Sequence, residues 1–155
     1  MMTILSCDVL KALAGKTLAT AESCTGGGIG GVLTAVPGSS TIYQGGVISY
    51  TDWVKEHVLG VDATMLHKYG AVSAEVAEEM AVCVRRLLHT DVAISVTGLA
   101  GPGADDFGNS VGTVFIGYCD NQRTYVEHYQ FHGCREEIRN LAIHAALELI
   151  LQNNK

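Results

Sequence analysis

Three small polar residues, Ser23, Cys24 and Thr25, stand between an apolar run at 18–22 (LATAE) and the glycine-rich segment Gly26-Gly27-Gly28-Ile29-Gly30-Gly31. Three kinds of chemistry fit that order. Gly26, Gly28 and Gly31 satisfy the dinucleotide fingerprint G-x-G-x-x-G, and Asp52 follows at about the right distance of 20 residues. That fingerprint needs its first glycine at the strand end, and here three residues intervene, so the match rests on chance glycines. A second reading is a nucleophile on a strand-to-helix turn, with Ser23 at the sheet edge and the next backbone amides facing a developing oxyanion. G-x-S-x-G itself is absent, and none of the six histidines sits where it names itself as a base. A lysine or tyrosine is left for that role. The third reading is architectural: Ser23 or Thr25 caps a helix, and Cys24 packs as a small apolar residue. The stretch alone does not separate the last two.

A turn of this kind must be carried by a sheet and a helix, and the rest of the chain supplies both. Residues 8–14 read as a short amphipathic helix, 18–22 as a strand, 25–36 as a helix closed by Pro37-Gly38, and 42–50 as a strand bent at Gly45-Gly46. Helix is expected at 52–59 and 62–68. Residues 73–89 form the clearest helix, with Ser73 as cap, glutamates near its start and Arg85, Arg86 and His89 near its end. Residues 91–97 (DVAISVT) have the unbroken apolar character of a buried strand. A glycine- and acid-rich loop covers 98–110, a hairpin of 111–118 and 124–131 turns at Asp120-Asn121, and 134–151 closes as a helix. This order predicts an α/β fold, a three-layer α/β/α sandwich on a mixed sheet, in one domain over 1–155.

Composition narrows the partners. The 155 residues are 48% hydrophobic and 17% charged, which suits a packed globular core. A net charge of −6 argues against nucleic-acid binding but leaves room for a small anion held by local amides and cations. Five dispersed cysteines without CxxC, and no leader, point to free thiols in the cytoplasm. No apolar run approaches the ~18 residues of a membrane span.

AESCTGG (21–27), PGSS (37–40), YQGGVISY (43–50), GAVS (70–73), VTGLAGPG (96–103) and VGTV (111–114) occur in an order and spacing that resembles the CinA C-terminal domain family. That competence/damage-inducible family includes stand-alone nicotinamide mononucleotide amidohydrolases, and the resemblance spans about residues 5–151. It implies a five-stranded mixed sheet similar to anticodon-binding domains, a dimeric or tetrameric assembly, no metal and no cofactor. Larger relatives carry a further N-terminal domain, so the chain is expected to be the stand-alone form. The implied reaction converts nicotinamide mononucleotide to nicotinate mononucleotide and ammonia in the recycling of pyridine nucleotide.

Carried over residue by residue, the resemblance makes Ser23 the nucleophile and Tyr50 and Lys55 its helpers, either of which could take the serine's proton. Their bland readings are an amphipathic strand end for Tyr50 and a solvated helix face for Lys55. Amides of Thr25, Gly26 and Gly27 at the helix start are candidates for substrate, as is the loop containing Thr97, Gly98 and Gly101. Arg135 is a phosphate partner or a first-turn arginine paired with Glu136 or Glu137. One departure stands out. Family members continue the GPG loop with glycines and a Lys-Pro, whereas this chain has ADDFGNS (104–110), whose Asp105 and Asp106 are a metal pair or simply solvated. The rival to an enzyme is a catalytically silent nucleotide-binding protein with a regulatory role.

Overall fold

The structure, a computed structural model, describes residues 2–155. Five strands form one sheet in the order β2-β1-β3-β4-β5. They are β1 (Leu18–Glu22), β2 (Tyr43–Ile48), β3 (Val92–Gly98), β4 (Thr113–Cys119) and β5 (Thr124–Gln130). β1 runs parallel to both β2 and β3, while β3–β4 and β4–β5 are antiparallel. Every residue of β1 is buried, as is β3 except for its last position, which is what their continuous apolar runs require of central strands. β2 alternates between half-buried and exposed, as an edge strand does.

Helices cover both faces, so the expected three-layer sandwich on a mixed sheet is what forms. α1 (Met2–Ala12), α2 (Gly28–Thr34) and α6 (Arg135–Asn153) pack one face, where Val9, Ile29, Leu33, Ile143 and Leu147 meet Ile94 and Ile116. α4 (Ala63–Tyr69) and α5 (Ala74–Leu88) cover the other, with Leu66, Val76, Met80 and Val84 over Ala19 and Ala93. Among the described residues, no helix is long and apolar enough to cross a membrane.

Local chemistry sets the helix limits. The Ser73 hydroxyl accepts from the Val76 amide at 3.2 Å to start α5, and His89 ends it in a left-handed conformation. Cys134 and Glu137 form a reciprocal cap at the start of α6. Three expectations shift. α1 begins at Met2 rather than at residue 8, and α2 begins at Gly28 rather than 25, because Gly26 and Gly27 take φ of +58° and +95° and close a turn first. The expected helix at 52–59 is a single turn, α3 (Asp52–Val54), that widens into a π-turn over Lys55–Leu59.

α5 packs tightly on the sheet at Gly117 of β4. A Cβ there would sit 2.5 Å from both the Ala77 carbonyl of α5 and Ser95 Oγ, which themselves hydrogen bond at 2.6 Å. Gly117→Ala should therefore lower stability by about 1–3 kcal/mol, measured by urea denaturation.

Candidate active site

Because β1, β2 and β3 are parallel, their carboxyl ends share one edge of the sheet, where open α/β sheets hold ligands. A cleft of about 420 Å³ opens there. Ser23 and Cys24 enter it after β1, Tyr50, Asp52 and Lys55 after β2, Thr97 to Gly101 and Gly103 from the end of β3 and the loop that follows it, and Arg135 from α6. Ala71 and Val72, just before α5, form the remaining wall.

At its floor Lys55 is only 1% exposed and Ser23 7%. Lys55 Nζ lies 3.0 Å from Ser23 Oγ, donates to the Ser49 carbonyl at 2.7 Å and lies 3.5 Å from the Tyr50 carbonyl. Burial pulls the Lys55 amine below the ordinary lysine range, opposed by the negative charge of Asp52 and then by Cys24. A neutral amine can donate its two hydrogens to the carbonyls and accept the Ser23 hydroxyl proton in its lone pair. The solvated helix face therefore does not describe Lys55. The π-turn carries it: the Gly60 amide bonds back to the Lys55 carbonyl, so the wide turn leaves the lysine side chain pointing to the sheet end.

Tyr50 is different. The residue is 55% exposed, and its hydroxyl accepts from Arg135 Nη2 at 3.1 Å rather than bonding Ser23. Arg135 Nη1 donates to the Gly101 carbonyl at 2.6 Å, so this guanidinium ties the β3 loop to the β2 loop at the cleft wall. It makes no salt bridge with Glu136 or Glu137; the latter instead caps its own helix. The Thr97 hydroxyl is spent on the Ala71 carbonyl at 2.7 Å, which leaves Thr97 a wall residue.

Thr25, Gly26 and Gly27 do not line the cleft. The Thr25 hydroxyl donates to the Glu22 carboxylate at 2.7 Å, and the Gly26 amide bonds the Ser23 carbonyl at 3.0 Å. The first free amides of α2, Ile29 and Gly30, also bind Glu22, at 2.8 and 3.0 Å. A side-chain carboxylate thus fills the position at the helix start where a substrate anion was expected. Sequence reasoning also missed Arg139, whose Nε and Nη2 reach the Cys24 and Thr25 carbonyls at 3.0 and 3.1 Å. The available signals were an acid inside the apolar run 18–22 and a second arginine one helical turn after Arg135.

The acidic loop bonds mostly to itself, with one tie to the segment before α5. Asp105 Oδ1 accepts from the amides of Phe107 and Asn109, and Asn109 Nδ2 donates to Asp105 Oδ2 at 2.7 Å and to the Val72 carbonyl at 2.9 Å. Burial would raise the Asp105 carboxyl, but these bonds, that of Asn109 foremost, hold it below its usual value. Among the described residues, no group of three or more His, Cys, Asp or Glu could hold a metal.

A mixed α/β/α sandwich with a buried lysine amine against a serine hydroxyl at its parallel strand ends defines an open-sheet domain with a cleft at that edge. The chain belongs to the CinA C-terminal domain family, which matches residues 5–153. A CinA-like protein of Cyanothece sp. is 49% identical over 140 residues, covering 87% of this chain and 33% of that protein. A CinA-like protein of Acaryochloris marina is 49% identical over 136 residues, covering 86% and 32%. The chain thus spans about a third of the length of these relatives. Among solved structures, a competence-damaged protein (CinA) superfamily protein from Enterobacter cloacae aligns with a TM-score of 0.96 at 30% identity. That alignment covers 100% of this chain and 93% of the other. The superfamily protein from Escherichia coli aligns equally well, at 33% identity over 99% and 90% of the two chains.

Cys24 neighbours Ser23, but burial pushes its thiol up to about 11, so little thiolate forms at neutral pH. Limited iodoacetamide treatment at neutral pH should modify the exposed Cys134 roughly tenfold or more faster than Cys24, read by peptide mass mapping.

Proposed function

We propose that the protein is an amidohydrolase whose nucleophile is Ser23 and whose general base is Lys55, and that its substrate is nicotinamide mononucleotide. The observation that carries the reading is the Lys55 amine, withdrawn from water and 3.0 Å from Ser23 Oγ. A lysine solvated at the surface would be an ammonium and could take no proton; a desolvated one can.

In this reading Lys55 accepts the serine proton as Oγ attacks the carboxamide carbon. The resulting ammonium returns that proton to the nitrogen as the tetrahedral intermediate expels ammonia. Water then attacks the Ser23 ester, losing its proton to Lys55, and as the C–Oγ bond breaks the Lys55 ammonium returns that proton to Ser23 Oγ, releasing the product acid and restoring the neutral amine. Tyr50 receives its hydrogen bond from Arg135, which leaves its own O–H free to donate at the mouth of the cleft. That geometry suits Tyr50 as a donor to substrate and supports Lys55, not Tyr50, as the base. Arg135 is the guanidinium on the cleft wall, suited to the phosphate, with the Thr97 to Gly101 loop beside it. The choice of this amide over others comes from the AESCTGG and TGLAGPG motifs and their resemblance to the deamidating members of the family.

Wild-type protein should release ammonia from nicotinamide mononucleotide, and Ser23→Ala should lower kcat by on the order of 10³-fold or more. Substrate binding without ammonia release by folded wild type would instead favour the silent nucleotide-binding reading. The active form holds Lys55 neutral, so kcat/KM should fall as pH drops through the pKa of Lys55. Burial has lowered that pKa, so the acidic limb should lie below the ordinary lysine value of about 10.4. Lys55→Met should abolish activity yet melt within about 5 °C of wild type, because lost hydrogen bonds and relieved desolvation oppose each other.

A further inference from the structure

The turn that presents Ser23 is held from two sides. On one side the Glu22 carboxylate, 2% exposed, takes the Thr25 hydroxyl and the Ile29 and Gly30 amides. Thr20 Oγ1 backs the carboxylate at 3.4 Å and shares a 2.7 Å hydrogen bond with the Tyr43 hydroxyl. On the other side the Arg139 guanidinium donates to two successive carbonyls, those of Cys24 and Thr25. The carboxylate anchors the groups that begin α2, and the guanidinium holds the Cys24–Thr25 and Thr25–Gly26 peptide planes, the second and third after Ser23. Neither residue lines the cleft.

We propose that Arg139 is a positioning residue that aims Ser23 Oγ at Lys55, gripping the turn against Glu22; this rests on the reading of Ser23 as nucleophile. The direction of the Ser23 side chain follows from the peptide planes on either side of it. The preceding plane is set by the sheet, since the Ser23 amide bonds the Val96 carbonyl at 2.9 Å. The plane after it is held only within the turn, by the Gly26 amide on the Ser23 carbonyl, and beyond Thr25 the chain runs through two left-handed glycines, a backbone with wide freedom. Arg139 removes that freedom. Its planar fork spans both carbonyls at once, which the point charge of a lysine cannot do. Arg135 stands one helical turn earlier on α6 and ties Gly101 to Tyr50, so one helix face fastens the loops after all three parallel strands.

The test uses a fluorophosphonate probe, whose phosphorus is attacked by Ser23 Oγ with loss of fluoride while the serine proton passes to Lys55. Labelling of Ser23 is followed by mass spectrometry beside ammonia release from nicotinamide mononucleotide. Arg139→Ala should slow labelling and kcat together by about 10²-fold, the cost of a small misplacement, with KM nearly unchanged. Arg139→Lys should remain slow although it keeps the charge. Millimolar guanidinium ion should restore labelling in Arg139→Ala and have no such effect on wild type. Where Arg139→Ala does not fold, Arg139→Gln is read in the same assay, with the same slow labelling expected. A wild-type labelling rate in folded Arg139→Ala or Arg139→Gln overturns the proposal while leaving the nucleophile reading intact. A wild type that neither labels nor releases ammonia removes that reading and the proposal with it.

Discussion

The geometry of this site depends on one amine kept out of water. Burying a lysine costs free energy unless its hydrogens find acceptors, and the Ser49 carbonyl meets that need at the point where β2 leaves the sheet. Asp52 opposes the loss of the proton and burial favours it, so the amine is held between two influences of opposite sign. The surrounding architecture follows from keeping that amine dry and near Ser23. Parallel β1 and β2 bring the two turns side by side, and α5 with its preceding Ala71-Val72 segment walls them off.

A second constraint decides where negative charge can go. A helix start following a glycine-rich turn normally offers its amides to a ligand anion, but here Glu22 has already taken them. The turn is therefore held at its base by a carboxylate, which occupies the Ile29 and Gly30 amides. A guanidinium enters the cleft instead from α6, where Arg135 lines the wall.

Much of this was readable in the residues. The buried runs of β1 and β3, the Ser73 cap and the closing helix declared the sandwich because each is a local pattern with a local cause. Ser23, Thr97, Gly98, Gly101 and Arg135 were placed near one another by their positions at strand ends and at a helix start. Other features are not local. Whether Tyr50 or Lys55 meets Ser23 turns on a single wide helical turn, which periodicity does not reveal. Thr25 to Gly27 looked like ligand amides because nothing in their spacing tells that the preceding glutamate folds back on the helix. Arg139 gains its meaning only when α6 docks on a turn 115 residues earlier in the chain.

The π-turn also bears on how such a domain can change over generations. Lys55 and Leu59 are both buried, one toward the cleft and one in the core beneath α5, and the five-residue turn satisfies both at once. A π-turn differs from ordinary helix by a single extra residue. Losing that residue would let a regular helix form, at little cost to hydrogen bonding, and would rotate one of the two side chains out of its place. Core packing would keep the leucine and release the lysine to solvent. One codon's deletion is thus a short path from a chain that holds a lysine amine against Ser23 to one that retains the scaffold and cleft without that contact.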